Sequence, residues 1–291
     1  MFYSLPSFEY TRADSLSVAL DLLKEGNWKL LAGGTDLLID IKTGRQAPKK
    51  LLDISRINEI RYVRPNENII RIGGGSRLQE LLENIVIRER LPLLASAIRE
   101  MASWQIRNVA TIAGNLCNAS PAADSAPPLL VHEAKVRLAS TAGSRIVPLK
   151  DFFIGPRKTV MRDDEMLTEI EVPSLEGYSY WYYKLGRRNA FTLSVVSVAV
   201  ALKIEDGKFS DVRIALGSVA PKPVRALSVE EELVERNADV SLAYRAAELV
   251  ERDISPISDV RASADYRMKV SKVLIKRALI ESIKRSRGEL L

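Results

Sequence analysis

The first part of the chain combines helical and strand-like patterns of apolar residues around a glycine turn. Apolar side chains recur at intervals of three and four over residues 16–23, which predicts one helix face. Residues 28–32 form a short apolar run that leads directly into Gly-Gly-Thr-Asp at 33–36, and residues 50–54 form another run. The pattern therefore predicts an α/β unit in which a glycine turn follows a strand.

A second α/β stretch begins with a strand predicted at residues 69–72 and ended by three glycines at 73–75. Ser76 and Gln79 have the spacing of a capping box, so we expect a helix to follow, with an apolar face over 78–85. The same spacing rules predict a further helix over 94–101 and strands at 135–139 and 166–172.

The pattern changes around residues 173–177. Strand-like runs follow at 180–184, 193–204 and 212–219, and Asp206-Gly207 is typical of a hairpin turn between the last two. From Ser228 onward the spacing is helical, with a long final helix, so an antiparallel sheet with helices packed on it is predicted. The predicted domains are residues 1–176, with subdomains of about 1–55 and 56–176, and residues 177–291.

Composition is that of a folded chain with few metal-binding side chains. The 291 residues are 46% hydrophobic, enough for one large domain or two of ordinary size. Only one cysteine, Cys117, and one histidine, His132, are present, which excludes a disulfide framework within the chain and makes a site built from Cys or His ligands very improbable. The start of the chain lacks signal-peptide features, and no apolar run reaches the ~18 residues of a membrane span, so we expect a cytoplasmic protein.

The net charge of +6 comes largely from the last predicted helix, residues 267–287. A solvated helix face is the simpler explanation, and a docking surface for an acidic partner is the alternative. The sequence contains neither a nucleic-acid-binding motif nor an aromatic-basic platform, so we expect no nucleic-acid partner.

Two glycine segments carry the candidate chemistry, Gly-Gly-Thr-Asp at 33–36 and Thr-Ile-Ala-Gly-Asn at 111–115. Glycine lets backbone amides approach an anion without a Cβ in the way, and the hydroxyl and amide side chains add donors. Each segment alone is equally compatible with a tight structural turn. Neither matches the Rossmann or Walker spacing, but together they could hold the two phosphates of a dinucleotide.

Four motifs, in the same order along nearly the whole chain, indicate a resemblance to a known protein family. They are AGGTDLL at 32–38, QIRN at 105–108 running through GNL at 114–116 to NASPAAD at 118–124, YKLGRR at 183–188, and VRASADYR at 260–267. The chain thereby resembles the FAD-binding, or medium, subunits of the xanthine dehydrogenase and carbon monoxide dehydrogenase family of molybdenum hydroxylases. One departure is Ala113, where many members have glycine.

The resemblance implies an α+β fold, with a two-subdomain FAD-binding domain of the vanillyl-alcohol-oxidase (PCMH) type followed by a smaller α+β domain. It implies FAD as the cofactor, with the pyrophosphate on the two glycine segments, Asp124 on the ribityl hydroxyls and Lys184 near the flavin ring. The cofactor-binding residues that it implies are Lys29, Leu30, Leu31, Ala32, Gly33, Gly34, Thr35, Asp36, Ala102, Thr111, Ala113, Gly114, Asn115, Asp124 and Lys184.

The resemblance also implies partners. A large subunit would carry the molybdenum cofactor, and a small subunit would carry 2Fe–2S clusters that pass electrons to FAD and on to NAD, a quinone or another external acceptor. A chain with one cysteine cannot hold such a cluster itself. No catalytic or metal-ligating residue is predicted in this chain. The alternatives are a non-catalytic assembly or interaction subunit and a stand-alone flavin oxidoreductase of the same fold.

Overall fold

A computed structural model describes residues 5–288. Residues 1–4 and 289–291, which include the start examined for a signal peptide and the outer ends of the two predicted domains, lie outside the described residues. The described strands are β1 Glu9–Arg12, β2 Trp28–Leu31, β3 Lys50–Asp53, β4 Val63–Pro65, β5 Ile69–Gly73, β6 Lys135–Ser140, β7 Gly143–Pro148, β8 Phe153–Gly155, β9 Lys158–Thr159, β10 Met166–Pro173, β11 Ser179–Gly186, β12 Ser194–Glu205, β13 Lys208–Gly217 and β14 Val224–Arg225.

The helices connect and cover these strands. They are α1 Leu16–Glu25, α2 Leu37–Lys42, α3 Leu78–Glu83, α4 Ile85–Arg90, α5 Pro92–Glu100, α6 Trp104–Arg107, α7 Ile112–Cys117, α8 Ala126–Val131, α9 Leu149–Phe152, α10 Leu227–Leu233, α11 Val240–Glu248 and α12 Ala264–Ser286. Short 3₁₀ turns lie at Asn58–Ile60 and Leu249–Arg252. Across residues 5–288, none of these helices has the length and apolar character required to cross a bilayer.

Consecutive parts of the chain form three main sheets. The first is parallel, with strand order β1-β3-β2, and the second is antiparallel, with order β4-β5-β10-β6-β7. The third is antiparallel, with order β11-β12-β13-β14, and α12 packs on it. The predicted α+β class is therefore confirmed.

Strand β12 shows why the C-terminal sheet can be buried on both faces. Its sequence alternates valine with serine or alanine over residues 196–201. Val198 and Val200 belong to the core formed with α10, α11 and α12, whereas Ala199 and Ala201 belong to the core of the preceding part of the chain. Side chains alternate between the two faces of a strand, so the serine and alanine side chains of residues 196–201 lie on one face. Because they are small, the preceding part of the chain can pack closely against that face.

The predicted hairpin turn is confirmed, and the predicted capping box is wrong. Ser15 caps α1 and Gly26 ends it, and Asp206 and Gly207 both have positive φ in the turn between β12 and β13. The capping box predicted from Ser76 and Gln79 is wrong, because α3 begins after Arg77 and it is the Glu80 carboxylate that accepts from the Arg77 amide, at 3.3 Å. The Ser76 hydroxyl instead donates to the Tyr62 carbonyl at 3.1 Å, a contact that depends on the folded sheet.

The helix face predicted over residues 78–85 is divided between two helices. Asn84 ends α3 in an extended conformation, and its side-chain oxygen accepts from the amides of Val86 and Ile87 at the start of α4. Asparagine favours such caps because its side chain replaces a missing backbone partner.

Candidate functional site

A cavity of about 780 Å³ lies where the first parallel sheet meets α7 and the hairpin formed by β8 and β9. This volume is within the range of roughly 300–1,000 Å³ typical of small-molecule and cofactor sites. One wall is the segment between β2 and α2, and another is the segment from Val109 into α7. The cavity therefore lies between the two glycine segments that the sequence singled out.

The first glycine segment exposes a run of unused backbone donors. Strand β2 ends at Leu31 and α2 begins at Leu37, and in the described part of the chain the amides of Gly33, Gly34, Thr35 and Asp36 have no hydrogen-bond partner. Gly34 has a φ of +69°, a conformation that favours glycine. Consecutive free amides at the cavity wall form a binding surface for an anion, and the start of α2 adds to it.

The second glycine segment is the first turn of α7, and it works differently from the first. The amides of residues 112–115 are engaged: Ile112 donates to the Ser76 carbonyl and Ala113 to the Gly74 carbonyl, both at 3.1 Å, while Gly114 donates to the Thr111 hydroxyl and Asn115 to the Thr111 carbonyl, both at 3.0 Å. What these four residues offer an anion is therefore side-chain chemistry. The Thr111 hydroxyl can still donate its hydrogen.

Asn115, one turn into α7, supplies a second side-chain donor. Its side-chain oxygen accepts from the Ser125 hydroxyl at 2.6 Å, and its side-chain nitrogen, Nδ2, has no partner among residues 5–288. The Asn115 NH₂ group is thus available at the cavity wall.

Several cations on the cavity wall are not neutralised. Lys29, Arg77, Lys158 and Arg162 line the cavity and form no ion pair with any described residue. Arg61 and Arg157 also line it, but Arg61 pairs with Glu80 and Arg157 with Asp40. Four unpaired positive groups around free backbone amides complement the negative charge of a diphosphate.

Asp36 brings a carboxylate to the same wall. Loss of hydration in the concave site raises the pKa of Asp36, and nearby Asp40 raises it further, while the positive charge of Arg157 opposes both. The first segment thus combines four free donors with an acidic side chain that lies close to Arg157.

Asp124 and Lys184 lie together in a separate buried cluster. One Asp124 oxygen is 2.7 Å from the Lys184 ammonium, and the other accepts from the Ser194 hydroxyl at 2.5 Å. Lys184 also donates to the Glu100 carbonyl at 3.0 Å. Burial raises the pKa of Asp124, and the Lys184 charge and both hydrogen bonds oppose that shift. The pair joins the segment after α7 to strand β11.

The structure divides the predicted site residues into two groups. The group on the cavity wall comprises Lys29, Leu30, Ala32, Gly33, Gly34, Thr35, Asp36, Thr111, Ala113, Gly114 and Asn115. Leu31, Ala102, Asp124 and Lys184 are not on that wall. Ala102 has a φ of +47° in the turn between α5 and α6.

Sequence reasoning missed several wall residues, among them Arg77, Arg157 and Lys158. Two of them follow Gly155-Pro156, a turn signal that placed adjacent cations at the tip of a hairpin. The glycines at 73–75 offer no free amide to an anion, because the amides of all three donate to backbone carbonyls of residues 60, 62 and 168.

No group of three or more potential metal ligands occurs within residues 5–288. Cys117 lies on the cavity wall, where burial raises the pKa of its thiol to about 12. The cavity wall thus presents amides, cations and apolar side chains, the kinds of group with which proteins bind dinucleotides.

Comparison with known families specifies the class further. Residues 6–175 match the model for the FAD-binding domain in molybdopterin dehydrogenase, and residues 181–282 match the model for the carbon monoxide dehydrogenase flavoprotein C-terminal domain. The chain belongs to this family of FAD-binding oxidoreductase subunits, and FAD is its cofactor.

Individual relatives support the same family assignment. The chain is 39% identical to the glyceraldehyde dehydrogenase medium chain of Sulfolobus acidocaldarius over 277 residues, covering 95% of this chain and 98% of the relative. It is 33% identical to the xanthine dehydrogenase FAD-binding subunit of Escherichia coli O157:H7, covering 97% and 98%. Among solved structures, the carbon monoxide dehydrogenase of Hydrogenophaga pseudoflava aligns with a TM-score of 0.93 at 33% identity, covering 97% of this chain and 99% of that one.

Proposed function

We propose that this chain is the electron-transfer subunit of a heteromeric molybdenum hydroxylase, in which electrons pass from iron–sulfur clusters of a partner subunit to FAD and then to an external acceptor. The acceptor class is NAD, a quinone or a similar carrier. When bound, FAD supplies the ability to take up electrons singly or in pairs. The protein's own task is to bind the cofactor, orient it and limit its contact with water.

The observation that carries the proposal is the first glycine segment. Four consecutive amides, from Gly33 to Asp36, lack partners in the described chain and border a cavity with four unpaired cations. A dianionic diphosphate satisfies both the amides and the cations, and the cavity volume suits a dinucleotide. The residues present therefore fit FAD.

The proposed cofactor contacts follow from this arrangement. Backbone amides of Gly33, Gly34, Thr35 and Asp36 hold the pyrophosphate from one side, and the Thr111 hydroxyl and Asn115 side chain hold it from the other. Lys29 contributes charge. Leu30, Ala32, Ala113 and Gly114 supply surface at the same wall.

Asp124 belongs to the proposal as a contact to the ribityl hydroxyls and Lys184 as a residue near the flavin ring. Leu31, in the first segment, and Ala102 are further proposed cofactor contacts, and all four residues lie outside the cavity wall. Each oxygen of Asp124 holds one partner in this structure, so each has a lone pair left for a ribityl hydroxyl. Lys184 is held in place by Asp124 and the Glu100 carbonyl, which orients its ammonium group. We also propose that the two domains divide at residue 176. A cytoplasmic location is proposed as well, and cell fractionation tests it.

The partners follow from what this chain lacks. With one cysteine it cannot ligate an iron–sulfur cluster, so the clusters and the molybdenum cofactor are assigned to a small and a large partner subunit. Purification of the complex from its source should recover chains of three different sizes. A chain recovered alone, yet with bound flavin, would favour the stand-alone flavin oxidoreductase.

Cofactor binding is the direct test. The full chain should bind FAD with a visible flavin spectrum, and the double variant Lys29→Gln/Arg77→Gln should bind it roughly tenfold or more weakly, since each lost charge-assisted contact contributes about 1 kcal/mol or more. Lys269→Gln, an exposed lysine of α12 away from the cavity, is the matched control and should bind as the wild type does. A wild-type chain that assembles into the complex without FAD would overturn the proposal in favour of a non-catalytic assembly subunit.

A further inference from the structure

Arg157 occupies an unusual place on the cavity wall. It lies in the turn between β8 and β9 with a φ of +61°, a conformation that non-glycine residues rarely adopt. Its amide donates to the Ala119 carbonyl at 2.9 Å, which fixes the hairpin turn against the segment that follows α7. The backbone of Arg157 is thus committed to one position, from which its side chain extends along the cavity.

The Arg157 side chain joins the two walls that carry the glycine segments. Its Nη1 atom is 3.0 Å from an Asp40 oxygen, in α2, and also donates to the side-chain oxygen of Asn118, at the end of α7. Asp40 is nearly fully buried, at 5% exposure, so its carboxylate depends on such partners. The first segment leads into α2 and the second forms the start of α7, so one guanidinium links both.

We propose that Arg157, Asp40 and Asn118 form a clasp that holds the two walls of the cavity at a fixed separation and thereby controls how slowly FAD leaves. Arg157 is a positioning residue in this inference, which rests on the proposed function. The clasp joins Asp40, within α2, to Asn118, at the end of α7, and it uses none of the four amides proposed to bind the diphosphate.

Charge gives the clasp a second effect. Asp36 and Asp40 are both near Arg157, and the positive charge of Arg157 opposes the rise in the pKa of Asp36. Without the Arg157 guanidinium, a diphosphate would lie beside two carboxylates whose only remaining ion pair within residues 5–288 is that of Asp40 with exposed Arg45. The clasp therefore favours bound FAD both by geometry and by electrostatics.

A direct phosphate contact by Arg157 would give a different result, and Asp40 separates the two cases. If Arg157 binds the phosphates itself, Asp40→Asn releases the guanidinium toward them and slows FAD release. If Arg157 acts through the clasp, Asp40→Asn opens it and speeds FAD release. The two roles therefore predict opposite signs for the same substitution.

The experiment measures the rate at which FAD is released from the full chain after dilution, by ultrafiltration at successive times. Arg157→Gln and Asp40→Asn are each expected to release FAD roughly tenfold faster, and the double variant no faster than either single one, because the two residues act as one unit. The wild-type rate should rise with salt, which screens the ion pair, and the Arg157→Gln rate should respond less. Arg157→Lys keeps the charge at Asp40 and should fall between the wild type and Arg157→Gln.

Arg45→Gln is the matched control. Arg45 also pairs with Asp40, at 3.4 Å, but its side chain is 61% exposed and does not line the cavity, so its loss should leave the release rate unchanged. Release from Arg157→Gln at the wild-type rate, or slower release from Asp40→Asn, would overturn the clasp while leaving FAD binding intact. A wild-type chain that binds no FAD would overturn the proposed function instead.

Discussion

Gly33 lies so close to the backbone of Val109 that a Cβ added to it would be 2.0 Å from the Val109 carbonyl oxygen. Val109 precedes the segment that forms the start of α7, so the two walls of the cavity touch backbone to backbone at this point. Glycine at position 33 is therefore required by contact between the walls as well as by access of an anion to the amides.

Gly33→Ala should destabilise both the chain and its cofactor site. The added methyl group must push the Val109 backbone away, and overpacking of this kind typically costs about 1–3 kcal/mol. We expect a lower thermal unfolding temperature without FAD and a loss of most FAD binding, measured by calorimetry and by flavin retention after gel filtration.

Gly155→Ala is the control for that substitution. Gly155 ends β8 near the same cavity, but a Cβ there meets no atom within 4 Å and its φ is not in the left-handed region. It should keep the wild-type unfolding temperature and FAD retention. If Gly33→Ala behaves in the same way, the close contact with Val109 does not limit the site.

The contact between Gly33 and Val109 shows where sequence reasoning ends. The apolar run at residues 193–204 predicted β12, because a strand buried on both faces has few polar residues, and Asp206-Gly207 marks the turn locally. No spacing rule shows that the amides of Ile112 and Ala113 are already bound to carbonyls of residues 76 and 74. Residues 33–36 have free backbone amides and residues 112–115 do not, and this difference depends on tertiary contacts. It could therefore be seen only in the folded structure.

Thr111 should contribute to stability and cofactor binding separately. Its hydroxyl caps α7 by accepting from the Gly114 amide, and loss of such a cap costs about 1 kcal/mol. Thr111→Val should lower the free energy of unfolding by about that amount and also weaken FAD binding, because the donor at the cavity wall is lost. Thr111→Ser keeps the hydroxyl and should restore both quantities in urea unfolding and FAD titration. Weak FAD binding by Thr111→Ser would contradict the role of the hydroxyl.

Removing one partner of the Asp124–Lys184 pair should lower the free energy of unfolding more than replacing both partners together. Both side chains are about 5% exposed, so Lys184→Met leaves a buried carboxylate unpaired, a change that typically costs about 3–5 kcal/mol. It should also raise the pKa of Asp124 further, since the opposing charge is lost. The double variant Asp124→Asn/Lys184→Met should recover most of the lost stability in urea unfolding.

FAD binding by that double variant separates the two roles of the pair. Recovered stability with poor FAD retention would support contacts between the pair and the cofactor. Recovered stability with normal FAD retention would show that the pair only joins β11 to the segment after α7, and the proposed ribityl contact of Asp124 would be wrong.

His132 provides a pH dependence that involves neither glycine segment. The side chain ends α8 in a fully buried position, where its Nδ1 atom lies 2.8 Å from the Pro173 carbonyl and its Nε2 atom has no partner in the described chain. The ring is therefore neutral, with Nδ1 donating. Burial lowers the pKa of His132 to about 4, and the nearby Arg213 charge lowers it too, while the hydrogen bond to Pro173 opposes both effects.

The sign of the pH effect follows from the two protonation states. The unfolded chain binds a proton at His132 below its ordinary pKa of about 6.5, whereas the folded chain binds it only near pH 4. Stability from this group is therefore complete above about pH 6.5 and is lost as the pH falls, by about 2 kcal/mol between roughly pH 7.5 and pH 5. His132→Asn keeps a donor for the Pro173 carbonyl but cannot be protonated. Urea unfolding at the two pH values measures how far the free energy of unfolding falls on acidification, and this fall should be smaller in the variant by that amount. An equal fall in both proteins would assign the acid sensitivity to other groups.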